Sequence, residues 1–325
     1  MIDLFRKFSE LNILIIGDVM MDSYLWGNVD RISPEAPVPV VSVHKRENRL
    51  GGAANVALNI QSLGATPLIC SVIGNDIEGA AFLHLLEDHE LSAEGIISLN
   101  DRPTTVKTRV IGQNQQMLRI DEETDALLSQ EHSGQLIDKI KTLINSKEIH
   151  AIIFQDYDKG VISQQLITEI VSESKKKNII TVVDPKKRNF LKYANVTLFK
   201  PNLKELREGL KVEIDMRQMK DLESAVKQIK THLNADYIMV TLSELGVFMQ
   251  SNDQKRLIPA HIRKIADVSG AGDTVIATAA VCLASGLDVF TTAAVSNLAG
   301  GLVCEHVGVV SIDKAHLLKE SIALK

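Results

Sequence analysis

Residues 12–17 read "NILIIG", a run of isoleucine and leucine closed by glycine. Such a run suits a strand buried on both faces, because a strand with one wet face would alternate apolar and polar positions. Similar runs recur at 67–74 ("PLICSVIG"), 150–156 ("HAIIFQD"), 179–185 ("IITVVDP"), 196–202 ("VTLFKPN") and 237–243 ("YIMVTLS"). Helical patterns lie between them, as at 53–64 ("AANVALNIQSLG"), 78–90 ("EGAAFLHLLEDHE") and 223–233 ("ESAVKQIKTHL"). Strand and helix in alternation predict βαβ units and a mostly parallel sheet covered on both faces. Several strands end in polar residues: Asp18 and Asp22, Asp156, Asp184, Asn202 and Thr241. Ligands of open α/β sheets bind beyond the carboxyl ends of the strands, so these residues are expected to share one rim.

Two stretches break the alternation. Residues 23–49 carry three prolines and strand-like alternation around "VPVVSVHK", and residues 102–123 read as a hairpin turning near Gly112 to Gln115. Neither suits the parallel sheet, and together they predict a small antiparallel sheet lying over the rim as a lid. No internal repeat or linker interrupts the 325 residues, so a single domain spanning 1–325 with a lid is expected.

Composition narrows the class. With 45% hydrophobic residues the chain can bury a large core, and a net charge of −5 gives no general attraction to nucleic acid or to an anionic membrane. Cys70, Cys282 and Cys304 show no metal-like spacing and read as small buried hydrophobes in a reducing compartment. The N-terminus lacks a signal-peptide core, and no uncharged apolar run reaches membrane-spanning length. A cytoplasmic location is expected.

The stretch with most chemistry is "DVSGAGDT", residues 267–274, where Gly270, Ala271 and Gly272 precede Asp273 at the head of a run of helix formers. A helix N-terminus offers unpaired N–H groups and partial positive charge, and glycine lets an anion approach the backbone closely. Asp273 reads either as a helix cap or as an acceptor for a hydroxyl proton during phosphoryl transfer. Capping alone does not require three small residues before the acid.

"DVSGAGDT" resembles the signature of the ribokinase-like, PfkB-type sugar kinases, and three further stretches match in the family's order. In "IIGDVMMD" (15–22), Asp22 corresponds to the acid that holds sugar hydroxyls, with Asp18 beside it. "GGAANVALN" (51–59) matches the second glycine motif, which implies that Gly51, Gly52 and Asn55 line the sugar pocket. "PNLKE" (201–205) matches the N-x-x-E motif, which implies that Asn202 and Glu205 order a magnesium–phosphate region through water. Thr241, Gly246 and Asn297 are carried over with them as nucleotide-side positions, and Asp273 with Gly270, Ala271 and Gly272 as the catalytic group. The resemblance implies ATP as co-substrate, Mg²⁺, and a doubly wound, mostly parallel α/β sheet with helices on both faces and a small β lid.

A narrower resemblance lies in "GDVMMDSYLWGNVDRISPEAPVPVV", "QMLRIDEE", "QDYDKG" and "VVDPKK". These are similar to the D-glycero-β-D-manno-heptose-7-phosphate kinases, which phosphorylate the anomeric hydroxyl on the route to ADP-heptose and lipopolysaccharide core. Many such kinases are fused to an adenylyltransferase with an HxGH motif. "EHVGVV" (305–310) lacks the second histidine and the chain ends at Lys325, so a kinase without that domain is expected. A phosphorylated sugar calls for cations in the pocket. Arg119, Lys159 and Lys186 lie within the matching stretches and are expected to contact substrate, whereas Arg109 reads as a solvated charge. Asp156 and Asp184 read equally as structural or catalytic, and Trp26 as packing of the lid or of an interface. Apolar residues along the lid (Leu25, Val38, Val40, Val41, Val110, Met117 and Leu118) lead us to expect a homodimer joined through it. A kinase of fructose or ribose type shares every core motif, and a non-catalytic sensor of the same fold is the remaining alternative. No G-x-G-x-x-G follows the first strand and no histidine pair has metal spacing, which disfavours an NAD enzyme and a zinc site.

Overall fold

The computed structural model describes residues 1–113, 115–261 and 263–323. The first half runs through α1 (Ile2–Lys7), β1 (Asn12–Gly17), β2 (Val19–Ile32), β3 (Pro39–Gly52), α2 (Ala53–Ser62), β4 (Thr66–Gly74), α3 (Ile77–Asp88), β5 (Ile96–Leu99), β6 (Val106–Gly112) and β7 (Gln115–Glu122). There follow α4 (Gln130–Ser146), β8 (Ala151–Gln155), α5 (Gln164–Lys176), β9 (Ile180–Asp184), β10 (Leu198–Phe199), α6 (Leu203–Leu210), α7 (Met219–Leu233) and β11 (Tyr237–Thr241). The chain closes with β12 (Val247–Gln250), β13 (Lys255–Ile258), α8 (Ala271–Ala284), α9 (Val289–Val303) and α10 (Lys314–Ser321).

Nine strands form one sheet in the order β13-β12-β11-β10-β9-β8-β1-β4-β5. All its pairs are parallel except β11 with β12 and β12 with β13. All six runs expected to be strands are there. Alternate side chains of β1 serve opposite faces: Ile13 and Ile15 join an apolar layer with α2, α3, α8 and α9, while Leu14 and Ile16 join one with α4, α5 and α7. Both layers are dry, which explains why the strand reads apolar throughout. Topology marks a candidate ligand site. From β1 the chain first builds outward through β4 and β5, then returns to the other side of β1 with β8, so the strand order reverses between β1 and β8.

The four remaining strands make the lid, ordered β3-β2-β6-β7. The structure corrects the expected antiparallel pattern: β2–β3 and β6–β7 are antiparallel hairpins, but β2 and β6 pair in parallel, Asp22 opposite Lys107 and Tyr24 opposite Arg109. The lid also reaches deeper than residues 23–49, because β2 begins at Val19, directly after β1, and β3 runs into Gly52 at the head of α2. The expected turn near Gly112 to Gln115 includes Asn114, which lies outside the described residues, as does Lys325. The strand expected over 196–202 is only two residues long, in keeping with Pro201, whose nitrogen has no proton to give a ladder.

Candidate active site

Asp273 sits in the first turn of α8 but caps nothing. Gly270 occupies the N-cap position with φ +78°, a conformation that suits glycine, and no side chain caps the helix. Among the described residues, no acceptor takes the N–H groups of Gly272 or Asp273. A Cβ placed on Gly272 would meet only Asp184 Oδ2, at 4.0 Å, so the space before these donors is open. The Asp273 carboxylate instead gathers three donors from other elements. Asn55 Nδ2 reaches Oδ2 at 2.7 Å, Gln155 Nε2 reaches Oδ1 at 3.0 Å, and the Tyr157 hydroxyl reaches Oδ1 at 2.7 Å. Burial pushes its pKa up to about 6, with Asp184 adding repulsion, while the Asn55 and Tyr157 bonds pull the other way. Such a group is ionised at neutral pH yet basic enough to take a proton.

A cavity of about 170 Å³ opens in front of Asp273, between α8 and the lid. Asn55, Tyr157 and Gly270 line its floor, and Asp22, Lys107 and Arg109 line the lid side. The close packing explains Gly51, where a Cβ would fall 2.4 Å from Asp22 Oδ2. Arg109 Nη1 donates to Asp22 Oδ1 at 2.5 Å, so Arg109 is no free surface charge, contrary to its sequence reading. Its guanidinium also stands 5.4 Å from the centre of the Tyr24 ring, with Arg49 4.9 Å from the same ring. Lys107 bonds Glu123 at 2.7 Å and Asp121 at 3.2 Å.

Behind the glycine turn the charges are paired. Lys200, 2% exposed, meets Asp184 Oδ1 at 3.1 Å. Asn202 and Glu205 form a capping box on α6: Glu205 N–H donates to Asn202 Oδ1 at 2.8 Å, and Asn202 N–H to Glu205 Oε2 at 2.9 Å. The other Glu205 oxygen pairs with Lys186. Among the described residues, no cluster of three or more His, Cys, Asp or Glu could hold a metal ion. These donors fit a magnesium ion only if it is carried on phosphate and reached through water, the usual mode for nucleotide-bound Mg²⁺. Thr241 bridges to Asn202 at the end of β11. Gly246 (φ +93°) and Asn297 both abut the segment after β13: a Cβ on Gly246 would meet Ile258 O and Ala260 N, and Asn297 Nδ2 donates to Pro259 O at 2.9 Å.

The rim of polar strand-end residues is thus divided. Asp22, Asp184, Asn202 and Thr241 occupy the expected region, but Asp18 and Asp156 turn into the protein. Asp18 accepts the backbone N–H groups of Tyr157 (2.8 Å), Lys159 (3.2 Å) and Val161 (3.1 Å), and so is committed to the loop after β8 rather than to substrate. Asp156 accepts from the Tyr193 hydroxyl at 2.7 Å and from Asn189 Nδ2 at 3.0 Å. Of the cations expected on substrate, none lines the cavity. Arg119 is half exposed and pairs with Asp121, Lys159 pairs with Glu123, and Lys186 pairs with Glu205. The residues that sequence reasoning misses are Gln155, Tyr157, Lys107 and Lys200. The first two stand in "QDYDKG", a stretch that points to its lysine when read for phosphate-binding charge alone.

A βαβ sheet with its site at the strand-order reversal, an acid behind an open glycine turn and a β lid over the pocket define a sugar kinase of ribokinase-like fold. The pattern of the pfkB family carbohydrate kinases matches residues 10–315, and the chain belongs to that family. It is 40% identical over 310 residues to the bifunctional protein HldE of Magnetococcus marinus, covering 94% of this chain and 63% of the relative. To the bifunctional protein HldE of Methylobacillus flagellatus it is 41% identical over 308 residues, covering 95% of this chain and 62% of the relative. The chain therefore spans somewhat under two thirds of these curated relatives. Among solved structures, phosphofructokinase-2 from Escherichia coli in complex with potassium superposes with a TM-score of 0.79 at 18% identity, over 97% of this chain and 99% of that one. Arabidopsis thaliana ribokinase complexed with ribose and ATP gives 0.72 at 16% identity, over 96% and 98%. At these identities the likeness concerns the fold.

Proposed function

We propose that this carbohydrate kinase transfers the γ-phosphoryl group of ATP to the anomeric hydroxyl of D-glycero-β-D-manno-heptose 7-phosphate, giving the 1,7-bisphosphate and ADP for ADP-heptose synthesis. The observation that carries this reading is the polarity of the cavity. A buried base, Asp273, and two lid cations line the same cavity, Lys107 paired with Glu123 and Asp121 and Arg109 paired with Asp22. A neutral sugar needs only the first; a sugar bearing a distal phosphate uses both. Asp273 takes the proton of the attacking hydroxyl, and the free N–H groups of Gly272 and Asp273 stabilise charge on the moving phosphate. Asn202 and Glu205 are the residues that would hold Mg²⁺, through water, and the ion would supply charge neutralisation there.

Release of ADP measured over a panel of neutral sugars and sugar 7-phosphates tests the assignment. The heptose 7-phosphate is expected to give the highest kcat/KM, and Arg109→Met is expected to raise KM for it far more than for neutral sugars. Preference for fructose or ribose over every 7-phosphate would replace this substrate. The cytoplasm is the proposed location, which accords with three free, buried cysteines. A homodimer through the lid is also proposed, on the strength of apolar residues left open there, among them Val38 at 52% and Leu118 at 56% exposure.

A further inference from the structure

We propose that Tyr157 is a positioning residue for phosphoryl transfer: its hydroxyl completes the hydrogen bonding of Asp273 Oδ1 and so directs proton acceptance to Oδ2. The inference rests on Asp273 being the base. An ionised carboxylate has about four acceptor sites, two on each oxygen. Oδ1 accepts from both Gln155 Nε2 (3.0 Å) and the Tyr157 hydroxyl (2.7 Å), and Oδ2 accepts from Asn55 Nδ2 alone (2.7 Å). Among the described residues, one acceptor site is left, and it is on Oδ2. In the transfer step the substrate O–H bond breaks and its proton passes to Oδ2. A bond forms between the substrate's hydroxyl oxygen and the γ-phosphorus of ATP, and the bond from the γ-phosphorus to the β–γ bridging oxygen breaks, releasing ADP.

Tyr157 is held for this task from two sides and faces the cavity on another. Its backbone N–H is tied to Asp18 Oδ2 at 2.8 Å, and the same carboxylate secures Lys159 and Val161, so the loop after β8 is fixed from beneath. Lys186 Nζ stands 5.7 Å from the ring centre. The ring itself walls the cavity. Burial, together with the neighbouring Asp273 charge, drives the phenol pKa well above 10, so the hydroxyl remains a donor throughout the working range. The charges facing the pair are Asp184 and Lys186 at and after the end of β9, Lys200 after β10, and Asp22, Lys107 and Arg109 from the lid. None of these is removed by deleting one phenolic oxygen. The Tyr157→Phe change therefore isolates a single bond to the charged form of the base.

The test is the pH profile of kcat/KM for whichever sugar of the panel turns over fastest, measured on the whole chain. Losing a donor to the ionised form raises the base's pKa, so Tyr157→Phe is expected to move the acid limb upward by about one pH unit. Rate on the alkaline plateau should fall by less than about tenfold, because the base itself remains. Gln155→Met, which strips the other Oδ1 donor, should move the limb in the same direction, and it decides the matter if the first variant does not fold. An acid limb that stays in place, with or without a uniform loss of rate, overturns the proposal and reduces Tyr157 to packing. Asp273→Asn run alongside separates the two levels: retained turnover in that variant refutes the base, whatever Tyr157 does.

Discussion

Asn55 and Asp273, 218 positions apart in the chain, meet through a buried 2.7 Å hydrogen bond between Nδ2 and Oδ2. The bond joins the first turn of α2 to the first turn of α8, and a second bond, from the adjacent Thr274 hydroxyl to Asn59 Oδ1 at 2.9 Å, fastens the same two helices one turn further along α2. The lid hairpin runs straight into α2, so the lid side of the cavity and the proposed base are built on adjoining residues. Asp273→Asn keeps size and polarity and should leave sugar and ATP binding nearly unchanged while turnover falls by about 10²–10⁴. Titration calorimetry alongside steady-state rates separates the two effects, and near wild-type turnover would remove Asp273 from the mechanism.

Gly272 faces open space: beyond its neighbours in the chain, a Cβ there would find no atom nearer than 4.0 Å. A branched side chain costs the fold little at this position but fills the volume before the free N–H groups. Gly272→Val is expected to keep its thermal midpoint within a few degrees and to lose at least about tenfold in kcat, since one oxyanion donor alone contributes about that or more. A variant that melts early yet turns over normally would show that the turn serves folding instead.

Acid should silence the enzyme before it unfolds it. Burial raises both Asp273 and Asp18 from an ordinary 3.8 to about 6, Asp18 with help from the charge of Asp156. The native state thus binds these protons more tightly than the unfolded chain, and their contribution to stability grows as pH falls from about 6 toward 3.8. Between pH 7 and pH 5 the rate should drop with Asp273 protonation while the thermal midpoint holds or rises. Parallel loss of rate and midpoint over that interval would contradict the assignment.

The proposed dimer has a direct measurement. Sedimentation at micromolar concentration should give a species of twice the 35.7 kDa chain mass, and Leu118→Glu on the exposed strand β7 should return it to the single mass. A wild type that sediments as one chain at that concentration excludes the lid interface.

Much of the body is legible in the sequence because its strands are buried on both faces and announce themselves as apolar runs. Where long-range register decides, legibility ends. Arg109 reads as solvated because nothing local shows that β2 and β6 pair in parallel and bring Asp22 to it. Tyr157 lies 116 positions from Asp273, and only the placement of β8 beside β9 and under α8 joins them. Resemblance singles out Asn202 and Glu205 for metal chemistry, while their spacing also spells a helix-start box that needs no ligand to explain it. Asp18 is misread from sequence for a related reason: a strand-end acid can satisfy backbone donors as well as substrate, and composition does not tell which.

The two apolar layers flanking the sheet have different tolerances for change. The layer containing α2 and α8 carries Asn55 and Asp273 on its own helices, so trimming Ile276 would disturb the pedestal of the base as well as the packing. In the other layer, α5 and α7 themselves carry none of the groups around Asp273, and trimming Ile229 on α7 should cost about 2–5 kcal/mol of stability with little change in the chemistry. Evolution toward heat tolerance or altered expression thus has an insulated half of the molecule in which to work, while the other half is bound to the reaction it performs.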